Sequence, residues 1–524
     1  MLRNFPIHVF LLAAFSVLML FVPNYDQVSM GLLVRPLLIA LAIAGVMLLV
    51  LNFMMRDLQL AGFVSFLGLL TGLNYGHFLN IARGSREITV SLIVLAVISI
   101  LFILVTLVKR SFWNKFICVI PVTYALNIFA IVLILAPLAV ALWRTGIYWK
   151  DVIAVKAVYK DIAEDLVAYP GTGKPDIYYI VVDGYGRADV LEELYGFDNS
   201  EFLSYLRERG FFIADQSSTN YFQTTLSLSS SLNMMYLDKI AEAVGSGSRD
   251  RVPLAGLIHQ NSVFRWLRRN GYRLVGYYSG FYYTNFEDAD TYFAPSMNIN
   301  EYEGRLLYNS IFRYYTETQP SIQVPTYSSR RVLINYTLDH LDDAVGLPSP
   351  KIVFAHIQAP HPPFVFNQYG NAVNPTVPFT MNDGPAYQGN DRAYVSGYTG
   401  QMLYINRKLR QAIDEILHRS IEPPIIILQG DHGPGSKLIW EDYQHTCLKE
   451  RASILNAVYL PGIDTCDLPT SLTPVNTFRI VLNKYFGANF KMLEDYIYFS
   501  DWLSPYHFIE ITHLDQDPSV CLTP

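Results

Sequence analysis

Charged side chains are scarce in this sequence: Asp, Glu, Lys and Arg make up 16% of its 524 residues, against roughly 25% in an ordinary soluble domain. Cysteine is scarce as well, with four residues, and this excludes a small disulfide-scaffold protein. Hydrophobic residues make up 51% of the chain, which excludes an intrinsically disordered protein.

The few charges are distributed unevenly along the chain. The first 150 residues contain ten Lys and Arg against three Asp and Glu, a net charge of +7, whereas the other 374 contain 29 against 42, a net charge of −13. The second part lacks the basic excess that binding to a phosphate backbone requires, which argues against a nucleic-acid partner. Two parts of such different character exclude a simple cytosolic globule.

Long apolar runs fill the first part. A membrane-spanning helix needs about 20 predominantly apolar residues, and five runs approach or exceed that length. They are Pro6–Val22, Leu33–Met54, Leu60–Leu79, Ile88–Val108 and Phe116–Trp143. No small-residue cleavage site follows the first run, so we interpret it as a retained span. The sequence therefore predicts a transmembrane domain of about five α-helices over residues 1–148.

Residues 149–175 are expected to connect two domains. Their first part, Trp149–Ala168, has the mixed-charge pattern of a helix that lies along a membrane surface, and residues 170–175 form a Pro- and Gly-containing break. The remaining residues, 176–524, are long enough for one large domain with a deep core.

Short apolar runs alternate with helical patterns in that domain. Asp176–Val182, Lys351–Ile357 and Ile425–Leu428 are predicted to be buried strands, and Ala393–His418 a long helix. This alternation predicts an α/β domain with a mostly parallel sheet flanked by helices. Functional sites in such sheets lie beyond the carboxyl ends of the strands.

Chemically reactive side chains stand at those positions. Asp183 follows the first strand, Asp431 and His432 stand between two glycines after a late strand, and Thr224 precedes a predicted helix. Taken singly, each has a structural interpretation, because Asp and His also occur in turns and Thr also caps helices. Taken together, their oxygen and nitrogen atoms suit Zn²⁺ or Mn²⁺.

We therefore predict one divalent metal, Zn or Mn, with Asp183, Thr224, Asp431 and His432 as its ligands. A threonine hydroxyl beside such an ion and at a helix N-terminus can be deprotonated near neutral pH and act as a nucleophile.

The motifs DIYYIVVDGYGR, NYFQTTLSLSSSLN and IIILQGDHG, in this order, resemble the sulfatase-like branch of the alkaline-phosphatase superfamily. Five spans followed by an external catalytic domain resemble the lipoteichoic-acid synthases and lipid A phosphoethanolamine transferases within it. The resemblance implies that Thr224, in the pattern Thr-x-x-Ser-Leu, is the nucleophile. Thr225 is an alternative and is otherwise expected to contact the substrate.

The resemblance also implies the location of the protein. Charges in the loops leave the orientation open, but the family places its catalytic domain outside the cytoplasmic membrane. We therefore expect a multi-pass protein of the cytoplasmic (inner) membrane with an extracytoplasmic catalytic domain.

Three histidines depend on their context. His361, between prolines, resembles the family's substrate-side histidine and suits a donor to phosphate or a general acid for the departing alkoxide. His445 lies near the place where related transferases carry another active-site histidine, and it is expected to bind substrate. His356 lies inside a predicted strand, where a core histidine is the favoured interpretation.

The cysteines separate two chemistries. None stands in the (Cys/Ser)-x-Pro-x-Arg frame that formylglycine sulfatases need, which argues against sulfate-ester hydrolysis by that route. Cys447, Cys466 and Cys521 permit at most one internal disulfide.

The leading hypothesis is a metal-dependent phosphoryl-type transferase, with a membrane phospholipid head group as donor and a glycan, a lipid or water as acceptor. One alternative is a phosphodiesterase, phosphatase or sulfatase-like hydrolase that uses the same residues. The other is a catalytically inactive membrane assembly protein.

Overall fold

The structure, a computed structural model, describes residues 5–24, 28, 30–76, 119–159, 173–295, 299, 301–313, 326–375, 377, 379–513 and 519–522. The chain divides into two compact units. The N-terminal unit comprises Met1–Lys150 and Ile299–Val324, and the C-terminal unit comprises Asp151–Asn298 and Pro325–Pro524. The domain boundaries expected at residues 148 and 175 stay a prediction.

Helices form the described part of the N-terminal unit. Two of them, Gly31–Met55 and Val122–Ile147, are long and apolar enough to span a membrane. His8–Phe21 and Leu58–Leu73 are apolar but shorter. The described residues thus contain two clear candidate spans where the sequence predicts about five, and the predicted run Ile88–Val108 lies outside them.

Polar side chains mark both ends of the helix in the described part of the third predicted span. The Asp57 carboxylate accepts bonds from the backbone N–H groups of Gln59 (3.1 Å) and Leu60 (3.2 Å) and so fixes the start of the helix. The helix ends before Asn74, whose side-chain amide donates to the carbonyl of Leu70 (2.9 Å). This helix therefore ends at Leu73; Tyr75 and Gly76 are helical again, and residues 77–79 lie outside the described part of the chain.

The predicted interfacial helix is not separate in its described part. One helix runs without interruption over Val119–Val158, so the segment from Trp149 continues the preceding helix. The sequence between Trp143 and Val158 contains no proline, and its single glycine is tolerated in a helix at modest cost. Residues 160–172 lie outside the described part.

The C-terminal unit is built on a seven-stranded sheet in the order β2-β7-β6-β1-β5-β3-β4. The strands are β1 (Ile177–Val182), β2 (Phe212–Ile213), β3 (Arg273–Tyr277), β4 (Thr291–Phe293), β5 (Lys351–Ile357), β6 (Ile425–Gln429) and β7 (Asn456–Tyr459). The four pairs around β1, β3 and β5 are parallel, and the pairs β6–β7 and β7–β2 are antiparallel. The sheet is therefore mixed, with a parallel centre.

Helices cover both faces of this sheet, as the sequence predicts. The helices of the C-terminal unit that follow β1 are Ala188–Tyr195, Ser200–Glu208, Thr224–Ser231, Asp238–Val244, Val252–His259, Ser262–Arg269, Tyr327–His340, Asp391–Arg419, Leu448–Ala452, Pro474–Phe486 and Ser519–Leu522. Short 3₁₀ helices are formed by Tyr282–Thr284, Leu341–Gly346 and Gly384–Ala386. A small antiparallel pair joins β8 (Tyr498–Phe499) to β9 (Ile509–Glu510).

The continuous apolar sequence of β1 follows from burial on both faces. Successive side chains of a strand point to opposite faces, and each face of β1 packs on its own core. Ile180 belongs to the core that includes Met402 of the Asp391–Arg419 helix, and Val181 belongs to the core that includes Phe478 of the Pro474–Phe486 helix. The polar groups that follow the strand are thereby held at a rigid edge.

Candidate active site

The parallel centre of the sheet brings three chain segments together. β1 pairs with β5 on one side and with β6 on the other, so their carboxyl ends lie side by side. Asp183 directly follows β1, His356 lies near the end of β5, and Asp431 stands two residues after β6. The backbone N–H of Asp183 donates to the carbonyl of Ile357 (2.9 Å), which fixes the first of these residues against β5.

Two glycines allow the turn that carries Asp431 and His432. A Cβ atom at Gly430 would lie 2.6 Å from the carbonyl oxygen of Tyr185, and one at Gly433 would lie 2.1 Å from that of Glu450. Any side chain at either position would therefore displace the neighbouring backbone. The glycines permit a close approach that aims both functional side chains at Asp183.

Carboxylates and imidazoles form a buried cluster there. His432 Nε2 lies 3.5 Å from Asp183 Oδ1 and 3.4 Å from Asp431 Oδ2, and His356 Nε2 lies 3.6 Å from Asp183 Oδ2. Ligand atoms of Asp183, His361 and His432 lie within 4.8 Å of one another, and so do those of Asp183, His356 and Asp431. Asp183 is shared by both groups.

The hydrogen bonds of His432 show which of its ring nitrogens faces the carboxylates as an acceptor. Its Nδ1–H donates to the carbonyl of Gly433 (2.9 Å), so Nε2 carries a lone pair. That lone pair accepts a bond from Arg451 Nη2 (3.1 Å), and Nε2 also lies within 3.5 Å of oxygens of Asp183 and Asp431. A cation at the point where these electron-rich atoms converge would relieve their mutual repulsion.

Three atoms of the cluster have no hydrogen-bond partner among the described residues: Asp183 Oδ1, Asp431 Oδ2 and His356 Nε2. Buried polar atoms without a partner are rare, because losing water without replacing it costs roughly 1–3 kcal/mol. Their convergence, together with the oxygen and nitrogen donor set, fits a divalent metal ion such as Zn²⁺ or Mn²⁺.

Thr224 joins the cluster from the start of the Thr224–Ser231 helix. Its Oγ1 lies 3.3 Å from His432 Nε2. The preceding residue, Gln223, is held by bonds from its amide nitrogen to the side chain (3.1 Å) and backbone carbonyl (3.3 Å) of Ser500. Thr225 is buried one residue further along, and the contact with the histidine is made by Thr224.

The electrostatic environment favours an ionised Asp183. Burial raises the pKa of its carboxyl group, but the positive potential of His361 and the neighbouring His356 and His432 outweigh burial and hold that pKa well below the usual range. The pKa of His432 is lowered, first by burial and then by the positive charge of Arg451. An ionised carboxylate is the form in which an aspartate binds a metal.

The structure also shows two residues that the sequence did not indicate. Asp383 Oδ2 lies 3.4 Å from His361 Nε2 and accepts a bond from Arg451 Nη1 (2.8 Å), and its Oδ1 accepts from Tyr394 (2.6 Å). Asp383 stands before Gly-Pro and Arg451 in the sequence LKERA. The first pattern indicates a turn and the second a charged helix, so neither carried a functional signal.

The remaining candidates differ in placement. His361 is held beside Asp183 by its backbone N–H, which donates to the Asp183 carbonyl (3.0 Å). His356 is buried in its strand and bonds to Thr284 Oγ1 (3.0 Å) through Nδ1, while its Nε2 lies 3.6 Å from Asp183 Oδ2. His445 is exposed, and its ring nitrogen lies 2.6 Å from Asp442 Oδ2 rather than at the cluster. The roles of all these residues stay predictions.

The Sulfatase family model matches residues 175–478 of this chain. No curated protein matches the sequence. Among solved structures, the C-terminal periplasmic domain of EcEptC from Escherichia coli is 12% identical, with 70% of this chain and 98% of that domain covered, at a TM-score of 0.44.

Two other similar structures are a transferase and a synthase by name. The integral membrane lipooligosaccharide phosphoethanolamine transferase A from Neisseria meningitidis is 12% identical, with 91% and 93% of the two chains covered and a TM-score of 0.41. The lipoteichoic acid synthase LtaP from Listeria monocytogenes is 14% identical, with 68% and 81% covered and a TM-score of 0.40.

Proposed function

Because this chain belongs to the sulfatase family of metal-dependent ester enzymes, we propose that it is a phosphoryl-type transferase that uses Thr224 as its nucleophile on a membrane phospholipid head group. The single observation that carries the proposal is the convergence of Thr224 Oγ1, 3.3 Å from His432 Nε2, with two buried aspartates that have unpartnered oxygens. A hydroxyl, a metal-type donor set and a helix N-terminus then meet at one point.

One divalent ion, Zn or Mn, would be held by Asp183, Thr224, Asp431 and His432. When bound, it would supply positive charge that lowers the pKa of the threonine hydroxyl and polarises the phosphoryl group. His361 lies close enough to Asp183 and His432 to border the same ion.

Thr224 is the nucleophile that fits the chemistry of the site. The first N–H groups of its helix lack intrahelical partners and favour a phosphoryl group at this end. The described cysteines are not available for a formylglycine mechanism, because Cys447 forms a disulfide with Cys521 and Cys466 is exposed. A threonine ester is therefore the expected covalent intermediate.

The bonds change in two steps. In the first, Thr224 Oγ1, which has lost its proton to water, forms a bond to phosphorus, and the bond between phosphorus and the glycerol oxygen of the lipid breaks. A proton on His361 Nε2, which faces Asp383 Oδ2 at 3.4 Å, is donated to the departing diacylglycerol alkoxide. In the second, an acceptor hydroxyl attacks phosphorus and gives its proton to His361, and Thr224 leaves as the alkoxide, which restores both residues for the next cycle. A glycan, a lipid or water can serve as that acceptor.

The N-terminal unit supports a lipid donor. Gly31–Met55 and Val122–Ile147 could anchor the protein in a bilayer, and anchoring raises the effective concentration of lipid at the site. The Cys447–Cys521 disulfide is typical of an oxidising compartment outside the cytoplasm. We propose a cytoplasmic-membrane protein with about five spans in residues 1–148, a connection over 149–175 and an extracytoplasmic catalytic domain over 176–524.

Trapping the intermediate tests this function. Full-length protein in lipid nanodiscs is supplied with phosphatidylethanolamine and phosphatidylglycerol labelled in the head group, quenched in acid and mapped by peptide mass spectrometry. We expect the label on Thr224, none in Thr224→Ala, and labelling retained in the neighbouring Thr225→Ala.

The products of the same reaction separate the outcomes. A labelled glycan or lipid indicates transfer, and a free phosphorylated head group indicates hydrolysis. Label on Thr225 alone, or lipid turnover at the full rate in Thr224→Ala, would contradict the proposed nucleophile. A metal-loaded protein without any turnover would favour the inactive assembly protein.

A further inference from the structure

Arg451 is buried beside the candidate active site, and the contacts of its guanidinium group are unequal. Nε donates to the carbonyl of Phe222 (3.1 Å), and Nη1 donates to Asp383 Oδ2 (2.8 Å) and the carbonyl of Gly433 (3.1 Å). Nη2 donates to His432 Nε2 (3.1 Å). One edge of the guanidinium is thus fixed by the protein frame, and the other points at the cluster.

The bond to His432 competes with metal binding. The other ring nitrogen of His432 is committed to Gly433 (2.9 Å), so Nε2 offers one lone pair. If that lone pair binds the metal, Arg451 Nη2 loses its acceptor, while Nε and Nη1 still hold the side chain in place. A fixed cationic N–H donor then faces the same point as Thr224 Oγ1, since both groups lie within hydrogen-bond distance of His432 Nε2.

We propose that Arg451 binds a non-bridging oxygen of the anionic phosphoryl group while that group is attached to, or attacked by, Thr224. This inference rests on the proposed function, because it requires the metal on His432 and the nucleophile at Thr224. A guanidinium suits the task, since its charge is permanent and its planar donors match a tetrahedral oxyanion. The ligand class is a phosphate ester anion.

Asp383 is a positioning residue in this arrangement. Its carboxylate fixes Nη1 of Arg451 and is itself fixed by the hydroxyl of Tyr394 (2.6 Å), which accepts a bond from the N–H of Gly435 (3.0 Å). These hydrogen bonds keep the guanidinium group of Arg451 in place when His432 Nε2, the acceptor of its Nη2, binds the metal instead.

A purely structural arginine in the same unit looks different. Arg479 is also buried, and its nitrogens donate only to backbone carbonyls: Nε (3.1 Å) and Nη2 (2.6 Å) to Met234, and Nη1 (2.7 Å) to Lys491. It has no donor aimed at an ionisable side chain. Arg479→Lys is therefore a matched control for Arg451→Lys, because both changes remove a buried guanidinium and keep the charge.

The test uses the full-length, Zn-loaded protein and two probes. Titration calorimetry measures the Kd of inorganic phosphate, and turnover of bis(4-nitrophenyl) phosphate gives KM and kcat. We expect Arg451→Lys and Arg451→Gln to raise the phosphate Kd and the KM by about tenfold or more, with Zn content equal to that of the unmodified protein. Arg479→Lys should leave both values within about twofold.

Each other outcome is decisive. Unchanged phosphate affinity in a folded, metal-loaded Arg451→Lys protein would overturn the inference. Loss of metal or of folding in both Arg451 variants would also overturn it, because either loss assigns the arginine a structural role. Full turnover in Thr224→Ala would instead contradict the proposed nucleophile, and the phosphate titration would still decide the role of Arg451 separately.

Discussion

Arg451 Nη1 lies 2.8 Å from Asp383 Oδ2, and both side chains are almost completely buried, with 3% and 4% of their surfaces exposed. The two residues come from an irregular loop and from a five-residue helix. The ion pair therefore links a loop and a short helix beside the edge of the sheet where the candidate active site lies.

Removing one partner of this pair should destabilise the protein. Asp383→Asn leaves Arg451 buried without its counter-charge, and we expect the free energy of unfolding at pH 7 to fall by roughly 3–5 kcal/mol. Urea unfolding of the metal-free protein, followed by tyrosine and tryptophan fluorescence, measures the change. Asp189→Asn is the control, because Asp189 is about half exposed and pairs with Arg187 at the surface.

The loss of stability caused by Asp383→Asn should depend on pH in a definite direction. Burial raises the pKa of Asp383, but His361, Arg451 and Tyr394 outweigh it and leave the folded pKa below the ordinary 3.8. A carboxyl group with a lowered pKa contributes stability above its unfolded pKa and loses it as the pH falls towards the folded value. The difference in the free energy of unfolding between the unmodified protein and Asp383→Asn should therefore shrink below about pH 4. A difference that grows on acidification would contradict this view.

Metal ions should stabilise the C-terminal unit. A ligand that binds only the folded state adds about 2.7 kcal/mol at a hundredfold excess over its Kd, and here it would also relieve the repulsion between Asp183 and Asp431. We expect Zn²⁺ or Mn²⁺ to raise the Tm of the chelator-treated protein and Asp431→Asn to abolish the rise. Scanning fluorimetry with elemental analysis measures both effects.

An exposed carboxylate controls for non-specific metal binding. Asp464 lies at the surface and bonds to the backbone N–H of Cys466 (2.9 Å). Asp464→Asn should retain the full rise in Tm. An equal loss in both variants would argue against a metal site at the sheet edge.

His361→Gln tests the general acid. Loss of a positioned proton donor lowers kcat by about 10²–10⁴-fold when the leaving group is an alkoxide. A 4-nitrophenolate leaving group needs no proton, so the same variant should keep most of its rate on bis(4-nitrophenyl) phosphate. Equal losses on both substrates, or loss of metal, would instead assign His361 to the metal site.

The central fold could be predicted because its signals are local. β1 is apolar over its full length and β5 and β6 are mostly apolar, and burial on both faces favours that composition. The antiparallel β7 was not predicted, since Asn456–Tyr459 is a four-residue strand whose direction depends on partners far away in the chain. The charge pattern changes at Trp149, but this change does not end the helix over Val119–Val158, because residues 149–158 contain neither proline nor glycine.

The candidate site also contains residues with a local signal in the sequence and residues without one. Asp183, Asp431 and His432 could be predicted because each directly follows a strand, where the topology of an open sheet places functional groups. Asp383 and Arg451 could not, because their proximity to the cluster follows from loop paths that leave no periodic pattern in the sequence. The position of His356 within a strand gives no indication that its Nε2 lies 3.6 Å from Asp183 Oδ2.

The disulfide between Cys447 and Cys521 offers a last prediction. It spans 74 residues of sequence and joins the C-terminal segment to the residue that precedes the helix carrying Arg451. Cross-linking restricts the unfolded chain, so Cys521→Ser should lower the free energy of unfolding by roughly 2–4 kcal/mol. Cys466→Ser should leave it unchanged, since Cys466 is exposed and unpaired in the described part of the chain.

Thiol labelling under denaturing conditions should detect two protected cysteines in protein from an oxidising compartment. Full labelling of Cys447 there would contradict both the disulfide and the extracytoplasmic location inferred from it.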